Sequence, residues 1–134
     1  MPSPQELALL FVDAVNRQNL ARMGALMGEN HRLTDSLGRV VDGREAVLAA
    51  WKAYFRWMPD YRIEVREVLS DRELVGVFGV AGGTFAPNGE LIEENRWELP
   101  AVSRAVAIDG LVESWQVYAD NKPVYEIMGR SASQ

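Results

Sequence analysis

The spacing of hydrophobic positions changes character partway along this chain. Leu7, Leu10, Phe11, Ala14 and Val15 recur at the spacing that lays one apolar stripe on an α-helix, with Glu6, Asp13, Arg17 and Gln18 facing away. Ser3, Pro4 and Glu6 open that helix as a cap, a proline in the first helical position, and a glutamate placed to return a hydrogen bond to the cap. A second short helix is predicted from Leu20 to Met27, ending before Gly28. A short strand from His31 to Asp35 and a turn at SLGR follow. Asp42 with Glu45 repeats the cap pattern, and the third helix runs through Ala46, Val47, Ala50, Trp51, Tyr54, Phe55 and Met58 until Pro59 stops it.

Beyond Pro59 the period becomes two. Tyr61, Ile63 and Val65 alternate with Arg62, Glu64 and Arg66, as a half-buried strand requires. Leu74 to Phe85 is apolar on both parities, which predicts a central strand covered on both faces, by helices on one and by a further cover on the other, for which another subunit is a candidate. Asn88-Gly89 predicts a hairpin turn, and Leu91 to Ile108 a long strand bent or bulged at Pro100. Asp109-Gly110 turns into a strand from Leu111 to Ala119. Asn121 and Pro123 start a short closing helix through Val124, Tyr125 and Met128, with Gly129 as its stop and SASQ as a frayed tail. Helices first and tightly connected strands afterwards make an α+β pattern, three N-terminal helices packed on a curved, mostly antiparallel sheet.

Composition narrows the reading. At 134 residues, 48 % hydrophobic and 25 % charged, the chain fits one globular domain spanning 1–134. A formal net charge of −5 argues against nucleic acid as a partner. With no cysteine and one histidine, neither a thiol nucleophile nor a zinc site is expected, and no metal or other cofactor is predicted. The N-terminal stretch lacks a basic lead-in and no segment reaches the roughly 20 apolar residues of a membrane span, so a cytoplasmic protein with no membrane partner is expected.

Two longer stretches carry a resemblance. FVDAVNRQNLARMGALM followed by LTDSLGRVVDGREAVLAAW resembles the first half of the superfamily of nuclear transport factor 2-like proteins, ketosteroid isomerases, SnoaL-like polyketide cyclases and limonene-type epoxide hydrolases. ENRWELPAVSRAVAIDGLVESWQVYAD is similar to the paired C-terminal strands of the cyclases and hydrolases. The resemblance covers about Leu7 to Met128 and implies a cone-shaped roll with a pocket between helices and sheet. Because such folds host many chemistries, it speaks to fold more than to reaction.

The resemblance places Asp35 where the isomerases hold their general base, a role that a pKa raised by burial would serve. The plainer role for an Asp ahead of Gly38 is an Asx-type turn. The isomerases' oxyanion donors fall on Phe11 and near Val102, neither of which can donate, and losing one such donor typically costs about 3 kcal/mol of transition-state stabilisation. The hydrolases' Asp-Arg-Asp set falls near Thr84, Gly82 and Val117, which cannot activate water. Steroid isomerisation and epoxide hydrolysis are therefore disfavoured. The cyclases' acid matches Asp120, otherwise a cap or turn acid. His31 shares strand parity with Asp35 but lies roughly 13 Å from it along an extended chain, too far for a dyad. Tyr54, Trp97 and Tyr118, with Phe11 and His31, are the candidates for lining a pocket that takes a small apolar or aromatic ligand. Three readings stay open. One is a cofactor-independent isomerase or cyclase using Asp35 as general base on a small carbonyl compound. The second is a non-catalytic ligand-binding or dimerisation module, and the third, which rests on fold alone, is protein recognition by analogy with the transport factor; in all three the chain is expected to be a homodimer through its sheet.

Overall fold

The computed structural model describes residues 1–132. Helix α1 (Pro4–Asn16) starts as its sequence dictates: the Glu6 N–H donates to Ser3 Oγ at 3.1 Å and the Ser3 N–H to Glu6 Oε1 at 3.2 Å. Its stripe, Leu7, Ala8, Phe11, Val12, Ala14 and Val15, is buried. At its end Asn16 acts as a piece of strand, donating to the Ile63 carbonyl at 2.9 Å and accepting the Ile63 N–H at 2.8 Å. Helix α2 (Leu20–Leu26), capped by Asn19, ends one residue before the predicted limit. Strand β1 (Met27–Thr34) begins there and not at His31, because buried Met27 already pairs with Val112.

The second capping box does not form. In the hairpin of β1 with β2 (Val40–Asp42), Asp42 lies opposite Arg32 and takes its Nε–H at 2.7 Å. Helix α3 (Arg44–Trp57) starts instead from Gly43, whose φ of 96° suits glycine, without a side-chain cap. Strands β3 (Arg62–Asp71), β4 (Leu74–Thr84), β5 (Arg96–Ile108) and β6 (Leu111–Tyr118) follow, and helix α4 (Lys122–Ala132) ends the described chain. The strand order is β2-β1-β6-β5-β4-β3, antiparallel except for the β1–β6 pair.

Three expectations in the C-terminal half are corrected. Asn88-Gly89 does not join strands through a tight hairpin; β4 closes with Thr84 opposite Arg96, and a loop over 85–95 ends in a 3₁₀ turn at Glu93–Asn95. Leu91 and Ile92 stay exposed because β4 has ended and no strand faces them. Pro100 carries no bulge in the β4–β5 register: it pairs with Val80 on the stretch of β5 that has a neighbour on one side only, where a missing N–H is tolerated. The register shifts fall at Val65/Glu67 and Val106/Ala107. Helix α4 runs through Gly129 to Ala132, so Ser131 and Ala132 of the expected tail are helical and residues 133–134 lie outside the described part.

Helices α1 to α3 cover one face of the sheet, to which Val75, Val77 and Ala81 of β4 and Trp97, Leu99 and Ala105 of β5 project. On the other parity of the same strands Phe78, Val80 and Val102 are half-buried and Leu74 is exposed, as is Leu69 of β3, which pairs with Gly76. No helix among the described residues is long and apolar enough to cross a membrane.

Candidate functional site

A cavity of about 260 Å³ lies between α3 and the helix-facing side of the sheet. Its existence follows from side-chain size. Ala81, Ala101 and Ala119 stand on the inner face of β4, on β5 and just beyond β6, and Ala50 stands on α3, where larger residues would fill the space. Trp51, Tyr54, Tyr61, Trp97 and Leu99 make most of the remaining wall.

The aromatic wall combines edge-to-face and tilted ring contacts. The rings of Tyr54 and Tyr61 stand 5.0 Å apart at 85°, and Trp51 lies 6.3 Å from the first and 6.4 Å from the second. Trp97 sits 6.1 Å from Tyr61 and spends its indole N–H on Met58 Sδ at 3.4 Å. Burial pushes both phenols well above the ordinary tyrosine range, so both stay protonated at neutral pH. Neither hydroxyl makes a hydrogen bond among the described residues, although Tyr61 as a whole is only 7 % exposed.

Asp35 lines the same cavity, at the β1 end. Its Oδ1 accepts the N–H groups of Leu37 and Arg39, both at 2.9 Å, and its Oδ2 accepts Arg39 Nε–H at 2.7 Å. This is the Asx turn, closed by the Gly38 N–H donating to the Asp35 carbonyl at 3.0 Å. The expected rise in pKa is reversed. Partial desolvation pushes the carboxyl up, but the hydrogen bonds from Arg39 and Leu37 and the charge of Arg39 together outweigh it and hold the group below the ordinary carboxylate range. Arg39 and Asn121 also line this end; Asn121 Nδ2 donates to Ser36 Oγ at 2.7 Å and so ties the start of α4 to the turn.

Of the other candidates, Tyr54 and Trp97 line the cavity, and four do not. Tyr118 is 51 % exposed on the outer face, because Trp115, Val117 and Ala119 take the inner parity around it. Asp120 is exposed and accepts the Lys122 N–H at 3.0 Å, the turn role ahead of α4. Phe11 and His31 are fully buried beyond Trp51, stacked at 6.0 Å, with Phe11 also 4.7 Å from Trp115. His31 Nδ1 lies 2.7 Å from the Val112 carbonyl oxygen, so that nitrogen carries the proton and Nε2 is left as an acceptor without a protein partner. Desolvation lowers the His31 pKa against the opposing pull of Val112 and Glu113. Residues not singled out from sequence are Tyr61, Trp51, Arg39 and Asn121. Tyr61 could have been found from its position as the first inward residue after Pro59; Arg39 and Asn121 carry no pattern that distinguishes them from surface residues.

Fold and site together define a pocketed α+β cone. The SnoaL-like domain profile matches residues 8–119, and the chain belongs to that family. Solved structures share the fold at low identity. A putative SnoaL-like polyketide cyclase from Shewanella putrefaciens is 18 % identical, with 100 % of this chain and 88 % of that one covered and a TM-score of 0.78. A hypothetical protein with a ketosteroid isomerase-like fold from Catenulispora acidiphila, in complex with trimethylamine, is 17 % identical, with 92 % of each chain covered and a TM-score of 0.78. An NTF2-like protein from Burkholderia thailandensis is 14 % identical, with 96 % and 98 % covered and a TM-score of 0.80. No curated protein matches the chain.

Proposed function

We propose that this chain binds a small, largely apolar or aromatic molecule in the cavity between α3 and the sheet. The observation that carries the reading is the cavity itself, about 260 Å³ of space walled by Trp51, Tyr54, Tyr61 and Trp97, with its charged groups confined to the Asp35–Arg39 pair. Aromatic walls supply most of the contact area for a flat ligand, and the paired charges cost a neutral ligand little.

A second reading is proton transfer by Asp35 on a carbonyl compound held in the same cavity. It is favoured by the position of Asp35 in the lining and by the putative polyketide cyclases that share the fold. Against it, the carboxylate is already held by three hydrogen bonds and is a weaker base than an ordinary aspartate, which lowers the driving force for taking a proton.

A screen of ring compounds by thermal shift tests both readings, because a ligand at 100 times its Kd adds about 2.7 kcal/mol to stability. The binding reading expects hits that stabilise wild type and Asp35→Asn alike, with no product formed. Turnover of a hit by wild type, lost in Asp35→Asn, selects the catalytic reading. No hit from a broad aromatic set would sink both.

The chain is further proposed to work as a homodimer through the outer face of its sheet. Leu69, Leu74, Phe78 and Val102 line an apolar groove there, and Gly76 has no side chain to keep the Phe78 ring off the sheet. A second copy covering this face would account for the two-sided apolar character of β4.

A further inference from the structure

We infer that the ligand of this cavity is a neutral ring compound bearing a hydrogen-bond-accepting oxygen, and that Tyr54 and Tyr61 are the donors that seat that oxygen. The inference rests on the small-molecule reading of the same cavity and assigns its chemistry. Tyr54 and Tyr61, their rings edge to face with centroids 5.0 Å apart, line one largely apolar space, and neither hydroxyl makes a hydrogen bond among the described residues. Neither oxygen is among the buried polar atoms that lack a partner, so both stay accessible, and a pair of unused donors on cavity-lining rings is a recognition element awaiting an acceptor. A phenol donates better than it accepts, and burial keeps both groups protonated, so the complementary atom is a carbonyl or ether oxygen.

Charge decides the rest. Arg39 is the cationic side chain in the lining, and it is held by Asp35 at 2.7 Å. β1, which carries that pair at its end, and β4, which flanks Tyr61, are three strand spacings apart, roughly 14 Å. A carboxylate seated against Tyr61 would therefore lie far from the Arg39 cation of the lining, which is already paired with Asp35, and a cation there would meet a donor and no free anion. A neutral ligand that spans from the tyrosines toward the Asp35–Arg39 end fits both constraints.

The test compares three probes of similar shape, tetralone, tetralin and tetralin carboxylate, by calorimetry or tryptophan fluorescence against wild type, Tyr54→Phe, Tyr61→Phe and the double variant. Phenylalanine removes only the oxygen, and a melting curve checks that each variant is folded. Tetralone is expected to bind wild type about tenfold more tightly than tetralin, a difference of about 1.4 kcal/mol. The double variant is expected to bind the two alike, and the carboxylate to bind most weakly throughout. The inference is overturned, with the ligand-binding reading left standing, if tetralone and tetralin bind wild type equally, if the double variant keeps the preference, or if the carboxylate binds best. Failure of all three probes to bind wild type overturns the cavity reading as well.

Discussion

The rings of Tyr54 and Tyr61 meet edge to face with their centroids 5.0 Å apart, one carried by the last turns of α3 and the other by the segment that follows Pro59. That contact forms part of the cavity wall and places two phenols where desolvation disfavours the phenolate. Their folded pKa values are raised above the unfolded value of about 10, so the folded state holds protons that the unfolded chain gives up. The stabilisation is fully present below about pH 10 and is lost as pH rises beyond it. Urea unfolding followed into the alkaline range is expected to show this fall in wild type and a shallower one in Tyr61→Phe. Identical slopes would mean that the Tyr61 phenol is hydrated.

The single histidine gives a separate window. His31 is buried and its pKa is lowered mainly by desolvation, so below the unfolded value of about 6.5 the unfolded chain binds a proton that the folded chain refuses. Stability is therefore present above about pH 6.5 and falls as pH drops toward the depressed folded pKa. Chemical denaturation between about pH 7 and pH 5 reads this directly. Replacing His31 with Gln is expected to lower stability overall while removing this part of the pH dependence, and an unchanged slope would place the effect on carboxylates instead.

Asp35→Asn is expected to cost at most about 1 kcal/mol in stability. The amide oxygen can keep accepting the Leu37 and Arg39 N–H groups, and what is lost is a partly exposed ion pair, the Asp35 side chain being 39 % accessible. Because the folded carboxyl is depressed, its contribution is present above about pH 4 and lost as pH falls below, a dependence that Asn lacks. A loss of several kcal/mol would show that the turn holds the hairpin together far more firmly than these contacts imply.

Gly79 is irreplaceable on steric grounds. A Cβ there would overlap the Glu64 carbonyl oxygen, at the place where β3 carries its extra residue and the register shifts between Val65 and Glu67. Gly79→Ala is expected to destabilise by about 3 kcal/mol, whereas Gly89→Ala, in an open loop, should cost less despite its φ of 85°. Comparable melting temperatures for Gly79→Ala and wild type would refute the bulge geometry.

Sedimentation measures the proposed dimer. Twice the chain mass of 15.0 kDa is expected for wild type, and a shift toward 15.0 kDa for Leu69→Asp, since Leu69 is 66 % exposed in the single chain and its replacement leaves the core untouched. A wild-type protein that sediments at 15.0 kDa at micromolar concentration would end the proposal.

The sequence by itself determined the elements whose cause is local. The Ser3–Glu6 box, the stripe from Leu7 to Val15, the stop at Pro59 and the change of period beyond it all act within a few residues, and each is present. They also sufficed for the α+β class. Tertiary structure decided the site, because its side chains come from distant segments and their roles depend on partners that spacing does not reveal. Asp42 became the partner of Arg32 through hairpin register and so lost its cap. Tyr118 faced outward because strand parity was fixed by Trp115 and Val117 packing inward. Asp35 became a depressed, three-bonded carboxylate through the turn that brings Arg39 back to it. A pocket between helices and sheet was implied by the family resemblance, but its size and most of its wall were not legible, since it is the space left where alanines of β4, β5 and α3 converge with Ala119 beyond β6, and empty volume depends on which small residues meet in three dimensions.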